Sequence, residues 1–194
     1  MNKVFFDLEW NTGFLDGNSF DEIIEIGAVK TDEEYWQIDG FRRLIRPVIY
    51  RKMNPYIQKI LAITMKDLQG EEPLASVAKA FFDWCDDCDT LIAWSGNDFG
   101  VLEKNLAHIG MKIPEQLGRY DVQMAYAYRT ENSIRNYALK TAVEAMELPE
   151  PEGQEYHDAY CDAQFTAAIG RALTERYGPL PAVEELQALK NTLV

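Results

Sequence analysis

The chain has 194 residues, of which 47% are hydrophobic and 26% are charged, and its formal net charge is −13 at pH 7. This balance excludes a disordered chain and allows a full hydrophobic core, whereas the acidity disfavours the broad basic face of most nucleic-acid-binding proteins. No apolar run approaches the ~20 residues that span a bilayer, and the N-terminus lacks the features of a signal peptide, so we expect a cytoplasmic protein that does not contact membranes.

The N-terminal part of the chain predicts three β-strands. Runs rich in β-branched and aromatic residues alternate with polar, glycine-containing stretches, which is the pattern of a strand meander. The predicted strands cover residues 3–9, 22–30 and 35–47, with a turn or bulge at Asp39-Gly40 inside the third. The polar stretch after the first strand, NTGFLDGNSF, predicts a loop.

The rest of the chain predicts helices that alternate with short apolar strands. A strand that follows a helix indicates a parallel crossover, so we expect an α/β fold with a mixed sheet flanked by helices. A main domain is expected over residues 1–178, with a C-terminal helical tail over residues 179–194 packed on the same domain. Helices are predicted over 55–63, 73–88, 97–109, 123–128, 135–147, 157–177 and 182–193, and strands over 89–94 and 119–122.

The three cysteines predict buried thiols. Cys85 and Cys88 form a CxxC pair in an apolar helical pattern, but no second pair or neighbouring histidines complete a zinc site. We interpret them as core or half-buried helix thiols, with a redox pair or a metal site as the alternative. Together with Cys161 they form no disulfide framework, which suits a reducing compartment.

Two carboxylates on the first predicted strand, Asp7 and Glu9, are candidate metal ligands. Side chains at i and i+2 of a strand point to the same face, so both can reach one metal pair. The alternative is a pair of exposed strand carboxylates, which would be unusual beside the apolar residues of FFDLEW.

A third carboxylate, Asp98, follows the predicted strand over residues 89–94 in the segment SGNDFG. Functional side chains gather at strand ends in α/β sheets, and Gly96 permits a tight turn there. The alternative is a first-turn helix carboxylate favoured by the helix dipole, with Asn97 as the cap. The two interpretations are compatible.

The last segment, YHDAYCDA, contains His157 and Asp162. On an ideal helix these two side chains would diverge by about 140°, so both reach one site only if His157 precedes the helix, in the loop after residues 151–153. Asp158 shares a helix face with Asp162 and is a rival ligand or a helix cap. The other histidine, His108, has no matching partner and is predicted at a helix surface or boundary.

In this order, the three acidic segments resemble the motifs of the DEDDh 3′→5′ exonucleases, the superfamily of proofreading subunits, oligoribonucleases and ribonuclease T. The resemblance runs from about Val4 to Arg171. It implies a ribonuclease H-like five-stranded mixed sheet, an exonuclease domain over residues 1–178, and two divalent ions, Mg or Mn. The implied metal ligands are Asp7, Glu9, Asp98 and Asp162, and the implied general base is His157, so that these five residues are catalytic.

The chain departs from the family pattern at two places. The first motif usually runs Asp-x-Glu-x-Thr-Gly, whereas here both Trp10 and Asn11 precede Thr12-Gly13. Trp10 could stack on a base or belong to the core. The second departure is Ala62, where many relatives carry glycine. The predicted substrate contacts are Leu8, Trp10, Asn11 and Asn97.

The sequence therefore predicts a metal-dependent 3′→5′ exonuclease that acts on single-stranded 3′ ends of nucleic acid and releases nucleoside 5′-monophosphates. RNA is slightly favoured over DNA, because the acidic surface disfavours long duplexes. The alternatives are a related metal-dependent phosphohydrolase and a catalytically silent nucleic-acid-binding or regulatory module of the same fold. A silent copy is disfavoured because all five catalytic positions are filled.

Overall fold

The structure is a computed structural model that describes residues 1–61, 63–149 and 156–192. A five-stranded mixed sheet with strand order β3-β2-β1-β4-β5 forms its centre. The first three strands are antiparallel neighbours, and β4 and β5 run parallel to β1, as the predicted meander and crossovers require. The strands are β1 Asn2–Leu15, β2 Asn18–Thr31, β3 Gln37–Leu44, β4 Cys88–Ala93 and β5 Gly118–Asp121.

The first two strands form a longer hairpin than predicted. The expected loop over NTGFLDGNSF is wrong, because β1 continues to Leu15 and pairs it with Asn18. Asp16 and Gly17 make the turn with φ values of 51° and 82°, as a two-residue hairpin turn with positive φ at both positions requires. The Asp-Gly dipeptide was the signal for this turn. Between the pairs Glu9–Glu25 and Trp10–Ile23 the register shifts, which leaves a bulge on β2 beside the acidic segment.

Eight helices are described, and they cover both faces of the sheet. The helix predicted over 135–147 is shorter, because residues before Leu139 are not helical, and the preceding helix extends to Glu131, where Asn132 adopts a left-handed conformation with φ 48°. In the helix predicted over 182–193, position 193 lies outside the described residues. The helices are α1 Pro55–Leu61, α2 Met65–Leu68, α3 Leu74–Trp84, α4 Gly96–His108, α5 Val122–Glu131, α6 Leu139–Ala145, α7 Ala159–Tyr177 and α8 Val183–Thr192.

The side chains of β1 alternate between the two faces of the sheet, and this alternation determines which helices cover the acidic residues. Phe6 and Leu8 are buried in the core cluster that contains residues of α3 and α4, whereas Phe5 is buried in the cluster that contains residues of α5 and α7. Since side chains alternate along a strand, Asp7 and Glu9 lie on the face of Phe5. The two carboxylates therefore face the side of the sheet that α7 covers.

The cysteines are buried thiols, as predicted, but not on one helix. Helix α3 ends at Trp84, so Cys85 lies at its C-terminal cap and Cys88 begins β4. Burial raises the pKa of Cys88 to about 12 and raises the pKa of Cys85 further. His108 is the last residue of α4 and is exposed, which confirms its predicted position on the helix surface.

The C-terminal helix α8 contacts α5. Its Leu186 is buried in the core cluster that also contains residues of α7. The Tyr120 hydroxyl donates to the Pro181 carbonyl at 2.8 Å, which fixes the chain just before this helix. Within the described part of the chain, no helix is both long and apolar enough to cross a membrane.

Candidate active site

Asp7 and Glu9 lie on the central strand, opposite Gly27 and Glu25 of β2. Burial raises the pKa of Asp7 well above its ordinary value, and the charges of Asp98, Asp162 and Glu9 raise it further. Burial also raises the pKa of Glu9 to about 8, with additional repulsion from Asp162 and Glu25. The predicted carboxylates from three separate segments are therefore close enough in space to repel one another.

Asp98 is buried in the first turn of α4. The helix cap is Ser95, whose Oγ accepts the Asn97 N–H at 3.3 Å, so the expectation that Asn97 caps the helix is wrong. The Ser95 hydroxyl also donates to the Asp98 carboxylate at 3.3 Å. Burial raises the pKa of Asp98 to about 6, although the Ser95 hydroxyl and the backbone N–H of Leu8 oppose the increase.

His157 precedes α7, as the geometry of the motif requires. The helix begins at Ala159, and Asp158 is its N-terminal cap, with the carboxylate accepting the Cys161 N–H at 3.0 Å. His157 itself has a φ of 70°, and its backbone N–H donates to Asp162 Oδ2 at 3.2 Å. Of the two alternatives for Asp158, the structure supports the cap. The preceding segment, residues 151–153, lies outside the described residues.

Glu9, His157 and Asp162 each offer a ligand atom, and these atoms lie within 4.8 Å of one another. Asp162 Oδ1 is buried and accepts no hydrogen bond from any described residue. Burial and the charges of Asp158 and Asp98 raise the pKa of Asp162 to about 7, although the His157 N–H opposes the increase. A buried carboxylate oxygen without a partner is costly, so a hard divalent cation fits this donor set.

Two neighbours of the acidic cluster were not predicted from the sequence. Gly27 faces the start of α7, since a Cβ built on it would lie 2.1 Å from the Ala159 carbonyl carbon and the Tyr160 nitrogen. Only glycine lets this helix approach the strand so closely, and a glycine inside a strand is the signal for such an approach. Glu25 is buried beside Glu9, and its pairing is visible only once the register of β2 is known.

The predicted substrate contacts lie in different environments. The Leu8 side chain is buried in the core, and Trp10 is partly buried against the same cluster. Asn11 is buried, with its side chain donating to the Lys52 carbonyl at 3.0 Å and accepting the Asn54 N–H at 2.8 Å. Direct contact between any of these side chains and a substrate stays a prediction.

A cleft of about 510 Å³ adjoins the acidic cluster at His157. Asn97, the fourth predicted substrate contact, is exposed and lines this cleft together with Gly96 and Asp121. On the other side Lys190 of α8 lines it, and this charge acts on the Asp121 carboxylate to lower its pKa, against the larger effect of burial. The cleft is large enough for a nucleotide-sized ligand.

A protein-family model described as an exonuclease, of the RNase T type, matches residues 4–169. The chain belongs to this exonuclease family. The match covers all three acidic segments, and together with the solved structures below it confirms the resemblance to the DEDDh exonuclease superfamily. No curated protein compared with the sequence matches it.

Several solved nuclease structures share the fold. The nuclease domain of 3′hExo, a DEDDh family member solved with bound rAMP, has a TM-score of 0.78 at 16% identity, and the alignment covers 93% of this chain and 94% of that one. Cell-death related nuclease 4 gives 0.78 at 14% identity, covering 91% of this chain and 64% of that one. E. coli exonuclease I, in complex with a dA16 oligonucleotide, gives 0.70 at 18% identity, covering 99% and 42%. This chain thus spans less than two thirds of the last two. These similarities confirm the ribonuclease H-like five-stranded fold.

Proposed function

We propose that the protein is a metal-dependent 3′→5′ exonuclease that hydrolyses phosphodiester bonds at the 3′ ends of single-stranded nucleic acid and releases nucleoside 5′-monophosphates. The observation that carries this proposal is the Asp162 carboxylate, which lies close to Glu9 and His157 and whose buried Oδ1 has no hydrogen-bond partner among the described residues. Membership of the exonuclease family supplies the reaction class.

Asp7, Glu9, Asp98 and Asp162 are the residues that would hold two divalent ions, Mg or Mn. When bound, such ions supply Lewis acidity, which lowers the pKa of a water molecule and stabilises a leaving oxygen. The four side chains supply only oxygen donors, which suits Mg and Mn better than soft metals. Their raised pKa values mean that cation binding would be accompanied by proton release.

His157 is proposed as the general base. Its imidazole is exposed and lines the cleft, so that an imidazole nitrogen can take a proton from an attacking water. Its backbone is held by the N–H bond to Asp162 Oδ2, which ties the proton acceptor to the carboxylate cluster. The Asp162 side chain thus belongs to the carboxylate cluster and also fixes the backbone of His157.

The substrate class follows from the size and charge of the surface around the site. With a net charge of −13, the protein has little long-range attraction for a polyanion, which favours a short single-stranded end over an extended duplex. Asn97 offers an exposed amide at the cleft, which is compatible with a terminal nucleotide, and contact of Trp10 with a base is part of the proposal. RNA is slightly favoured over DNA, because an acidic surface with few phosphate contacts disfavours long duplexes.

An end-label degradation assay tests the proposal. Equal-length single-stranded RNA, single-stranded DNA and duplex, each labelled at the 5′ end, are incubated with Mg, with Mn or with excess chelator, and Asp162→Asn serves as the inactive control. We expect a ladder that shortens one nucleotide at a time from the 3′ end, 5′-monophosphate products, and protection by a 3′-phosphate. Early internal fragments from a circular single strand would instead indicate an endonuclease. Binding without turnover would indicate the silent module.

A further inference from the structure

Arg42 on the edge strand β3 bridges two carboxylates from different elements. Its Nε donates to Glu25 Oε1 at 2.9 Å, and its terminal NH2 group donates to Asp158 Oδ2. In the register of the sheet Arg42 pairs with Gly27, which in turn pairs with Asp7. Cross-strand neighbours point to the same face, so Arg42 lies in one row with the catalytic strand, on the side that α7 covers.

Both carboxylate partners of Arg42 are neighbours of proposed catalytic residues. Glu25 is the cross-strand neighbour of Glu9. Burial raises the pKa of Glu25, and the backbone N–H of Ala159, at the start of α7, is close enough to oppose that increase. Asp158 follows His157 in the chain and caps the helix that carries Asp162. The guanidinium group therefore connects the sheet to the first turn of α7.

The conformation of His157 makes this connection important. Its φ of 70° lies in a region that residues other than glycine adopt only when their surroundings hold them there. The Asp162 carboxylate holds the His157 N–H from one side, and the Asp158–Arg42 pair holds the next residue from the other. Loss of either contact would let the segment before the helix relax.

We propose that Arg42 is a positioning residue, which fixes the first turn of α7 against β2 and thereby sets the place of His157 relative to Glu9 and Asp162. This inference rests on the proposed exonuclease function. A guanidinium group presents several N–H donors in a rigid fork, so one side chain can serve both carboxylates, which the ammonium group of lysine does less well. Because the Arg42 side chain is 51% exposed, its effect is expected to be geometric more than electrostatic.

The test compares four variants of the full chain. Arg42→Ala removes the bridge, and Arg42→Lys keeps the charge without the fork. Asp158→Asn keeps a good helix cap but removes the anionic partner of Arg42. Arg43→Ala is the matched control, since it removes the same charge from the neighbouring position, where the guanidinium donates to the Arg42 carbonyl and lies over the Phe41 ring.

Each variant is assayed on a single-stranded oligonucleotide and on the p-nitrophenyl ester of a nucleoside 5′-monophosphate, which has no further backbone phosphates. We expect Arg42→Ala to lower kcat by about 10–100-fold on both substrates, as small misplacements of catalytic groups do, with KM changed less than about threefold. Asp158→Asn should show the same pattern, Arg42→Lys a smaller loss, and Arg43→Ala an unchanged kcat. A loss confined to the KM of the oligonucleotide would overturn the proposal, because it would mean that Arg42 contacts the nucleic acid itself.

Hydrogen exchange provides a second readout that does not depend on activity. Amides in the first turn of α7 should exchange faster in Arg42→Ala and Asp158→Asn than in the wild type or Arg43→Ala, in samples shown by circular dichroism to be folded. Unchanged exchange together with a wild-type kcat would overturn the positioning role. If Arg42→Ala does not fold, Asp158→Asn decides the question. If the wild type degrades no nucleic acid, the proposed function fails, while the exchange comparison still tests the link between Arg42 and α7.

Discussion

Among the described residues, Asp162 has hydrogen-bond donors at only one of its carboxylate oxygens. Oδ2 accepts the His157 N–H, whereas Oδ1 is buried without a partner among the described residues. The hydrogen bond to Oδ2 stabilises the fold, and Oδ1 is the oxygen that we propose binds a cation. In the absence of a cation the charge is unfavourable, since burial and neighbouring carboxylates both raise the pKa of this group.

Asp162→Asn should separate these two roles. The amide oxygen can still accept the His157 N–H, while the like-charge repulsion is removed. We expect activity to be abolished and the free energy of unfolding in metal-free buffer to rise by about 1–2 kcal/mol, since a pKa shift of one unit corresponds to about 1.4 kcal/mol. Chemical denaturation with chelator and the end-label assay measure the two effects. Full activity in this variant would contradict a metal ligand at Asp162.

Gly27→Ala should move α7 away from the sheet. The added Cβ would lie 2.1 Å from the backbone of Ala159 and Tyr160, which cannot give way as a flexible side chain can. We expect a loss of about 2–4 kcal/mol in stability and at least about tenfold in kcat. Gly100→Ala in α4 is the control, because a Cβ there meets nothing within 4 Å and alanine favours a helix. A normal kcat in Gly27→Ala would show that the packing of α7 on β2 does not set the site.

At the scale of elements, the sequence predicted the strand meander, the parallel strands and the start of α7 because each depends on local patterns. For α7, the periodicity predicted a helix from residue 157, and only the condition that His157 and Asp162 reach one site placed its start after His157. The length of the β1–β2 hairpin was underestimated, because Asn11 and Thr12 are polar and predict a loop, whereas in the structure they pair with residues of β2. Glu25, Gly27 and Arg42 could not be assigned, because their roles come from the pairing of three strands with a helix far along the chain.

The segment after β3 carries two exposed basic residues, Arg51 and Lys52, and is held against β1. Asn11 fixes Lys52 and Asn54 through backbone hydrogen bonds, and a Cβ on Gly13 would lie 2.6 Å from the Tyr50 ring. Asn11 and Gly13 are in phase with Glu9 along β1, so the segment lies over the face of β1 that carries Glu9. Arg51 and Lys52 are exposed there, and within the described part of the chain neither forms an ion pair.

The double variant Arg51→Ala/Lys52→Ala should weaken binding of an oligonucleotide without changing its chemistry. We expect KM to rise by about 3–10-fold, kcat to stay within about twofold, and the salt dependence of binding to become less steep, as loss of phosphate contacts requires. Lys104→Ala/Lys112→Ala, which removes two charges from another surface, is the control. An equal rise of KM in both double variants would mean that only net charge matters.

For the whole molecule, the raised pKa values of the buried carboxylates predict how the stability of the metal-free protein depends on pH. Burial raises the pKa of Asp98 to about 6, of Asp162 to about 7 and of Glu9 to about 8, whereas such groups titrate near pH ~4 in an unfolded chain. Across this interval the folded chain binds more protons than the unfolded chain. The free energy of unfolding therefore falls as pH rises from about 4 to about 8.

In chelator, we expect Tm to be lower at pH 8.5 than at pH 5.5 by about 4 °C or more, since about 1 kcal/mol shifts Tm by 2–4 °C in a protein of this size. Asp162→Asn should flatten the dependence, whereas Asp16→Asn, in the exposed hairpin turn, should keep it. Saturating Mg should reduce the loss at high pH, because a ligand of the folded state stabilises it. Thermal melts across the range check this, and a Tm that rises with pH would oppose the assignment of buried, repelling carboxylates.

Calorimetric titration with Mn tests the central claim, that carboxylates from β1, α4 and α7 form one metal site. We expect two ions per chain for the wild type, release of protons on binding, and for Asp162→Asn the loss of at least one ion or a loss of about tenfold in affinity. Asp16→Asn should bind as the wild type does. Absence of binding, or identical titrations for the wild type and Asp162→Asn, would contradict a metal site formed by these carboxylates.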